Sequence, residues 1–147
     1  MTSSDALKFK LWDPASAVQG LIERWVPAAG CVAERDFESS LYDFLHAELS
    51  DVQVTKKWQH GRVEADIVVA DKVVIELKTD LRSMAEYQRL VGQLHSYKER
   101  GMAVFVVLTG QTDVNIRKEL DRTVSNLIGI KLFLLQPMHA GCRIMQK

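Results

Sequence analysis

Cysteine is scarce in this 147-residue chain, with only Cys31 and Cys142 present. Two thiols so far apart make neither a disulfide scaffold nor a zinc ligand set, and His46, His60, His95 and His139 add no metal-ligand spacing to them. Net charge is also lacking, because 19 Lys and Arg offset 19 Asp and Glu. The molecule therefore has no overall basic field to steer it toward nucleic acid, and any such binding must be local. Long apolar runs are absent too. The most apolar stretches, residues 103–108 and 130–135, are far shorter than the roughly 20 residues a bilayer-spanning helix needs, so no membrane association is expected. The opening MTSSDALKFK has no signal-peptide core, which makes a reducing cytoplasmic location the expectation. No GxxxxGK(S/T) loop is found, and nucleotide hydrolysis is unsupported. Internal repeats and low-complexity segments are missing as well.

A composition of 47% hydrophobic and 26% charged residues is that of an ordinary globular domain. Pro14 suits the first turn of a helix through AVQGLIERWV that stops before Pro27. In ERDFESSLYDFLHAEL, Phe37, Leu41, Phe44, Leu45 and Leu49 recur at helical spacing. VQVTKKW, the turn pair His60-Gly61, VEADIVVA, a polar Asp71-Lys72 and VVIELK then predict a three-strand antiparallel meander. SMAEYQRLVGQLHSYKER predicts a third helix capped at Gly101, AVFVVLTG a buried strand, DVNIRKELDRTVSNLI a fourth helix and IKLFLLQ a further strand. The tail CRIMQK has the pattern of an edge strand. This order implies an α/β domain, a mixed central sheet with helices on both faces.

One stretch of the meander, DIVVADKVVIELKTD, carries acids at both ends and a lysine. A two-residue turn at Asp71-Lys72 would set Asp66 opposite Leu77. A three-residue turn, Ala70-Asp71-Lys72, sets Val69 opposite Val73 and gathers Val63, Ala65, Ile67, Val69, Val73, Ile75 and Leu77 on one apolar face. That register brings Asp66 opposite Glu76, with Lys78 beside Glu76 about 7 Å along the strand and Glu64 opposite Lys78. Two adjoining carboxylates repel unless a cation lies between them or one holds a proton. Oxygen ligands suit a hard ion such as Mg²⁺, with Mn²⁺ an alternative, and a neighbouring lysine can orient water or stabilise charge on a phosphate. Cross-strand ion pairs on a solvated face would explain the same four residues. Val68 and Val74 on that face weigh against this, because they imply cover by helices.

At these residues the chain resembles the PD-(D/E)xK nuclease superfamily, the restriction-endonuclease-like fold. Its signature is an acid on one strand, followed by an acid, any residue and a lysine on the next, matched by Asp66 and Glu76-Leu77-Lys78. Ala65 stands where the family often has proline. The element order matches the family's αβββαβ core over about residues 33–136, leaving 1–32 as an N-terminal helical extension and 137–147 as a tail or edge strand of one domain. The resemblance implies Mg²⁺-dependent hydrolysis of DNA phosphodiester bonds. Asp66 and Glu76, with the Leu77 carbonyl, would hold the metal, Lys78 would serve the attacking water and the phosphate, and Glu38 in RDFESSL would complete the shell. Glu34, one turn earlier, is a second candidate. Gln93 and Tyr97 in QLHSY reproduce a Gln-x-x-x-Tyr element found in exonuclease domains of recombination helicases, and imply contacts with the site or with nucleic acid.

Lys56, Lys57, Trp58 and Arg62 on the meander, with Arg82 and Arg89 near the third helix, form a candidate phosphate-binding rim. A scattered solvated surface explains them nearly as well. The expected partner is DNA, joined by a second copy or a partner protein, since so small a core needs help to select substrate and cut two strands. The competing expectation is a non-catalytic nucleic-acid- or protein-binding module on the same fold.

Overall fold

The computed structural model describes residues 13–138 and 141–146. Helix α1 (Pro14–Arg24) opens on Asp13, whose carboxylate accepts the Ser16 N–H, and Pro14 fills a first-turn position where an N–H would have no partner. Its Val18, Leu21 and Ile22 are buried, as is Trp25 at its C-cap. Helix α2 (Glu34–Glu48) buries Phe37, Leu41 and Leu45 on one stripe.

Six strands follow in sequential spatial order: β1 (Val54–His60), β2 (Val63–Val69), β3 (Val73–Thr79), β4 (Ala103–Thr109), β5 (Ile130–Met138) and β6 (Gly141–Gln146). The first three pair antiparallel, β3, β4 and β5 run parallel, and β6 returns antiparallel along β5. Parallel neighbours need crossovers, supplied by α3 (Met84–Glu99) and α4 (Val114–Ser125). The result is the expected α/β architecture, a mixed sheet with helices on both faces and the helix, meander, helix, strand order of the core.

Two hydrophobic clusters sandwich the sheet. One joins α1 and α2 to Ile67, Val69, Ile75, Leu77, Phe105 and Phe133, the last two rings meeting edge to face at 5.5 Å. The other joins Leu90, Leu94 and Tyr97 of α3 and Ile116 and Leu120 of α4 to Val68, Val74, Val104 and Val106. Strands covered on both faces have no polar side to present, which is why β4 reads as a continuous apolar run. Val68 and Val74 lie beneath helices, as the pattern predicted.

The β2–β3 turn places Val69 opposite Val73 as expected, with the Lys72 N–H donating to Val69 O at 3.0 Å. The earlier turn differs. β1 runs on to His60, which pairs with Val63, so the turn pair is Gly61-Arg62 rather than His60-Gly61. Gly61 supplies the positive φ of 65° there. Helix α4 stops at Ser125, short of the expected Ile128, and the chain turns into β5 through Gly129 at φ 85°.

At the carboxyl ends of β3 and β4, Gly110 adopts φ 68°, and a Cβ there would lie 2.3 Å from Asp80 Oδ1. That oxygen accepts the Gln111 N–H at 2.8 Å, a bond it would give up by moving aside. Gly110→Ala is expected to destabilise the protein by about 2 kcal/mol through backbone strain and this clash. Urea denaturation checks it, and an unchanged midpoint would contradict this account of the turn.

Candidate active site

The β2–β3 ladder has three rungs, Val69 with Val73, Val68 with Val74 and Ile67 with Ile75. At the next position Asp66 and Glu76 continue the register, but side chains replace backbone partners. The Leu77 N–H donates to Asp66 Oδ2 at 2.8 Å, and the Asp66 N–H donates to Glu76 Oε1 at 3.3 Å. The sheet parts here, and each acid is clasped to the opposite strand.

β1 departs from regular pairing at the same level. Its rungs to β2 run through Lys56 with Ile67, resume at Trp58 with Ala65, and skip Lys57 and Asp66. Lys57 has φ 56°, left-handed backbone in a lysine at mid-strand. A non-glycine residue held there is strained, and such strain persists where the surroundings enforce it. This kink corrects one sequence expectation. Ala65 and Val63 pack with the α3/α4 cluster, whereas Ile67 and Val69 face α1 and α2, so the apolar face proposed for residues 63–69 breaks at Asp66.

Glu76 is buried, and the wholly buried Tyr97 of α3 reaches both sides of the split. Its hydroxyl lies 2.5 Å from Glu76 Oε1 on β3 and 2.8 Å from Glu64 O on β2. One phenolic hydrogen cannot serve two acceptors fully. A proton on Glu76 resolves the conflict, since Glu76 then donates to Tyr97 and Tyr97 donates to Glu64 O. Burial, and next the charge of Asp66, push Glu76 up to about 8 against the opposing influence of the Tyr97 hydroxyl. Asp66 is raised as well, by burial above all, although the Leu77 N–H works the other way. Tyr97 is raised by burial and by the charge of Glu76.

Glu38, buried on α2, approaches from the opposite face. Its Oε2 accepts from Lys57 Nζ at 3.0 Å, and the same ammonium stands 3.9 Å from Asp66 Oδ1. The bond to Glu38 holds Lys57 above the ordinary lysine range. Glu34 binds the Thr79 N–H at 2.9 Å and ties the start of α2 to the end of β3. Lys78 is half-buried, and its charge favours the ionised forms of both Asp66 and Glu76.

The structure thus gathers Asp66, Glu76, Leu77, Lys78, Glu38 and Tyr97 around one opening. Tyr97 sits beside a carboxylate with no exposed ring surface to offer nucleic acid. Gln93 lies at the edge, its Nε2 3.5 Å from Glu64 O. The rim residues are dispersed: Lys56 stands over the Tyr42 ring at 5.2 Å, Arg62 is in the β1–β2 turn, Arg82 approaches Asp80 at 3.6 Å and Arg89 is exposed on α3. Sequence reasoning assigned Lys57 to that rim and missed its place between the acids.

Among the described residues, no three His, Cys, Asp or Glu side chains form a ready metal cage. The donors present suit a hard ion that retains water. Asp66 and Glu76 are each anchored through one oxygen, no hydrogen bond from the described residues reaches Asp66 Oδ1 or Glu76 Oε2, and a cation could replace the proton that relieves their repulsion. A strand directs the N–H and C=O of one residue to the same edge, so the Leu77 carbonyl also faces the gap.

No protein-family model matches the chain, and no curated protein matches it. Among solved structures, SfsA of Pyrococcus furiosus in complex with Ca²⁺ is similar with a TM-score of 0.43 and 15% identity, over 77% of this chain. The chain spans 60% of the length of that protein. The CdiA-CT/CdiI toxin and immunity complex from Burkholderia pseudomallei is similar with a TM-score of 0.34 and 11% identity, over 82% of this chain and 92% of that one. No helix among the described residues is long and apolar enough to cross a membrane.

Proposed function

We propose that this protein is a divalent-metal-dependent nuclease acting on DNA, of the PD-(D/E)xK type its motif resembles. The observation that carries the reading is the pair of opposed carboxylates in a parted sheet, Glu76 buried and Asp66 largely so, with Lys78 two residues beyond Glu76. Asp66, Glu76 and the Leu77 carbonyl would hold Mg²⁺ or Mn²⁺, with Glu38 reaching the same ion once released from Lys57. Such an ion supplies positive charge against the phosphate and lowers the pKa of water at the site. Lys78 orients the attacking water and stabilises charge developing on the phosphoryl oxygens. Gln93, at the outer edge, positions water or substrate. Tyr97 keeps the two strands at fixed separation and holds Glu76 by one oxygen.

A second reading draws on the Lys57–Glu38 pair. An internal cation already opposite the acids suits a non-catalytic module in which they serve structure alone. A cleavage panel of linear, circular, single-stranded and branched DNA with Mg²⁺ or Mn²⁺, run beside Lys78→Ala, separates the two. Cleavage by the wild-type protein and its loss in the variant support the nuclease. A folded protein inert on every substrate, or an equally active variant, establishes the module. Self-association would supply the second active site for a double-strand cut, and a strictly monomeric species in light scattering with DNA would remove that element.

A further inference from the structure

Lys57 is the one residue of the opening whose backbone is strained, and its ammonium faces two carboxylates contributed by different elements. Glu38 comes from α2 and Asp66 from β2, and Lys57 Nζ stands 3.0 Å and 3.9 Å from their oxygens. The side chain of Glu38 is 3% exposed and that of Lys57 is 57% exposed. The acid is therefore fixed in the interior while the lysine reaches it from solvent on a flexible stem. Its left-handed φ sits at the level where β1 stops pairing with Asp66, so the kink serves to point the side chain inward.

We propose that Lys57 is a resident, displaceable cation that competes with the divalent metal for Glu38 and Asp66. The inference rests on the nuclease reading and adds a residue that sets metal affinity. Without metal, the ammonium neutralises Glu38 and shields Asp66, which explains how a buried carboxylate on α2 is tolerated. With metal bound, a divalent ion and an ammonium cannot share the same oxygens at these distances without strong repulsion. Lys57 then withdraws along its stem toward solvent and frees Glu38 to join the ligand set.

Isothermal titration of Mn²⁺ into the full chain tests this with wild type, Lys57→Met, Lys57→Arg and Asp66→Asn, each first shown folded by circular dichroism. Methionine preserves the stem and removes the competitor, so affinity should rise about tenfold, the size expected from losing two half-exposed ion pairs. Arginine keeps the charge but grips carboxylates with a planar fork, and should bind Mn²⁺ more weakly than wild type. Mere removal of a nearby charge would leave arginine equal to lysine. The order Met, Lys, Arg from tightest to weakest therefore supports displacement. Loss of binding in Asp66→Asn together with equal affinities across the Lys57 series overturns this inference and leaves the nuclease reading standing. No Mn²⁺ binding by any form overturns both.

Discussion

Asp66→Asn is expected, on the proposed nuclease reading, to lower DNA cleavage by about 10³-fold or more while leaving the protein folded, because it would remove a charged metal ligand and otherwise only the long contact with Lys57. The amide oxygen of asparagine can still accept the Leu77 N–H that Asp66 Oδ2 accepts at 2.8 Å, so the clasp across the parted sheet survives. The substitution also relieves repulsion with Glu76, and the metal-free variant should melt no lower than wild type. Lys78→Met should act differently. Removing a preorganised donor to the developing charge costs roughly 10²- to 10³-fold in rate, with Mn²⁺ binding retained or strengthened because a neighbouring positive charge is gone. Single-turnover cleavage at saturating Mn²⁺ distinguishes the two: excess metal should rescue part of the Asp66→Asn loss and none of the Lys78→Met loss. Full activity in either variant would show that cleavage does not run through this opening.

The second large effect is on stability against pH, and metal should reverse it. Glu76 stands near 8 in the folded protein against 4.5 for a free glutamate. The fold thus favours the protonated acid, and the stability this contributes is complete below about pH 4.5 and lost as pH rises through about 8. Asp66 is displaced in the same direction and adds to the trend. In EDTA, stability should fall by about 4 kcal/mol between pH 5 and pH 8.5, or roughly 10 °C in Tm for a chain of this size. A bound divalent cation takes the place of the proton, so saturating Mg²⁺ should raise Tm more at pH 8.5 than at pH 5. Thermal melts of wild type and Glu76→Gln at both pH values provide the check. A Glu76→Gln protein with the same slope in EDTA would assign the pH dependence to other groups.

Apolar residues made the β2–β3 pairing legible in the sequence. Of the two turn lengths considered, only the three-residue turn sends Ile67, Val69, Val73 and Ile75 to one side, and it carries Asp66 to Glu76 without reference to chemistry. The same reasoning failed at β1, where Gly61 fits either turn position. A His60-Gly61 turn places Lys57 opposite Glu64 and on the surface. The actual Gly61-Arg62 turn moves it opposite Asp66, because shifting the turn by one residue shifts the pairing by two, and that separates a rim lysine from one inside the site. The left-handed backbone at Lys57 had no residue-type signature, since lysine carries none of the preference that glycine or asparagine shows for that region. For the same reason the reversal of Ala65 could not be read from alternation. Burial of Glu38 was equally hidden, because an acid early in a helix is ordinarily solvated, and only the packing of α2 against the sheet encloses it.

The parted sheet has a mechanical consequence. Beyond Ile67 and Ile75 the distance between β2 and β3 is no longer fixed by ladder bonds, and three contacts set it instead: the two carboxylate clasps and the Tyr97 hydroxyl that touches Glu64 O and Glu76 together. Tyr97 belongs to α3, which packs against α4, so the two strands are gauged like an object between the jaws of a caliper. The frame of that caliper is the hydrophobic layer of Leu90, Leu94, Ile116 and Leu120. Core packing some distance from the acids thereby sets the span between them, and on the nuclease reading the helices would help to select the radius of the ion.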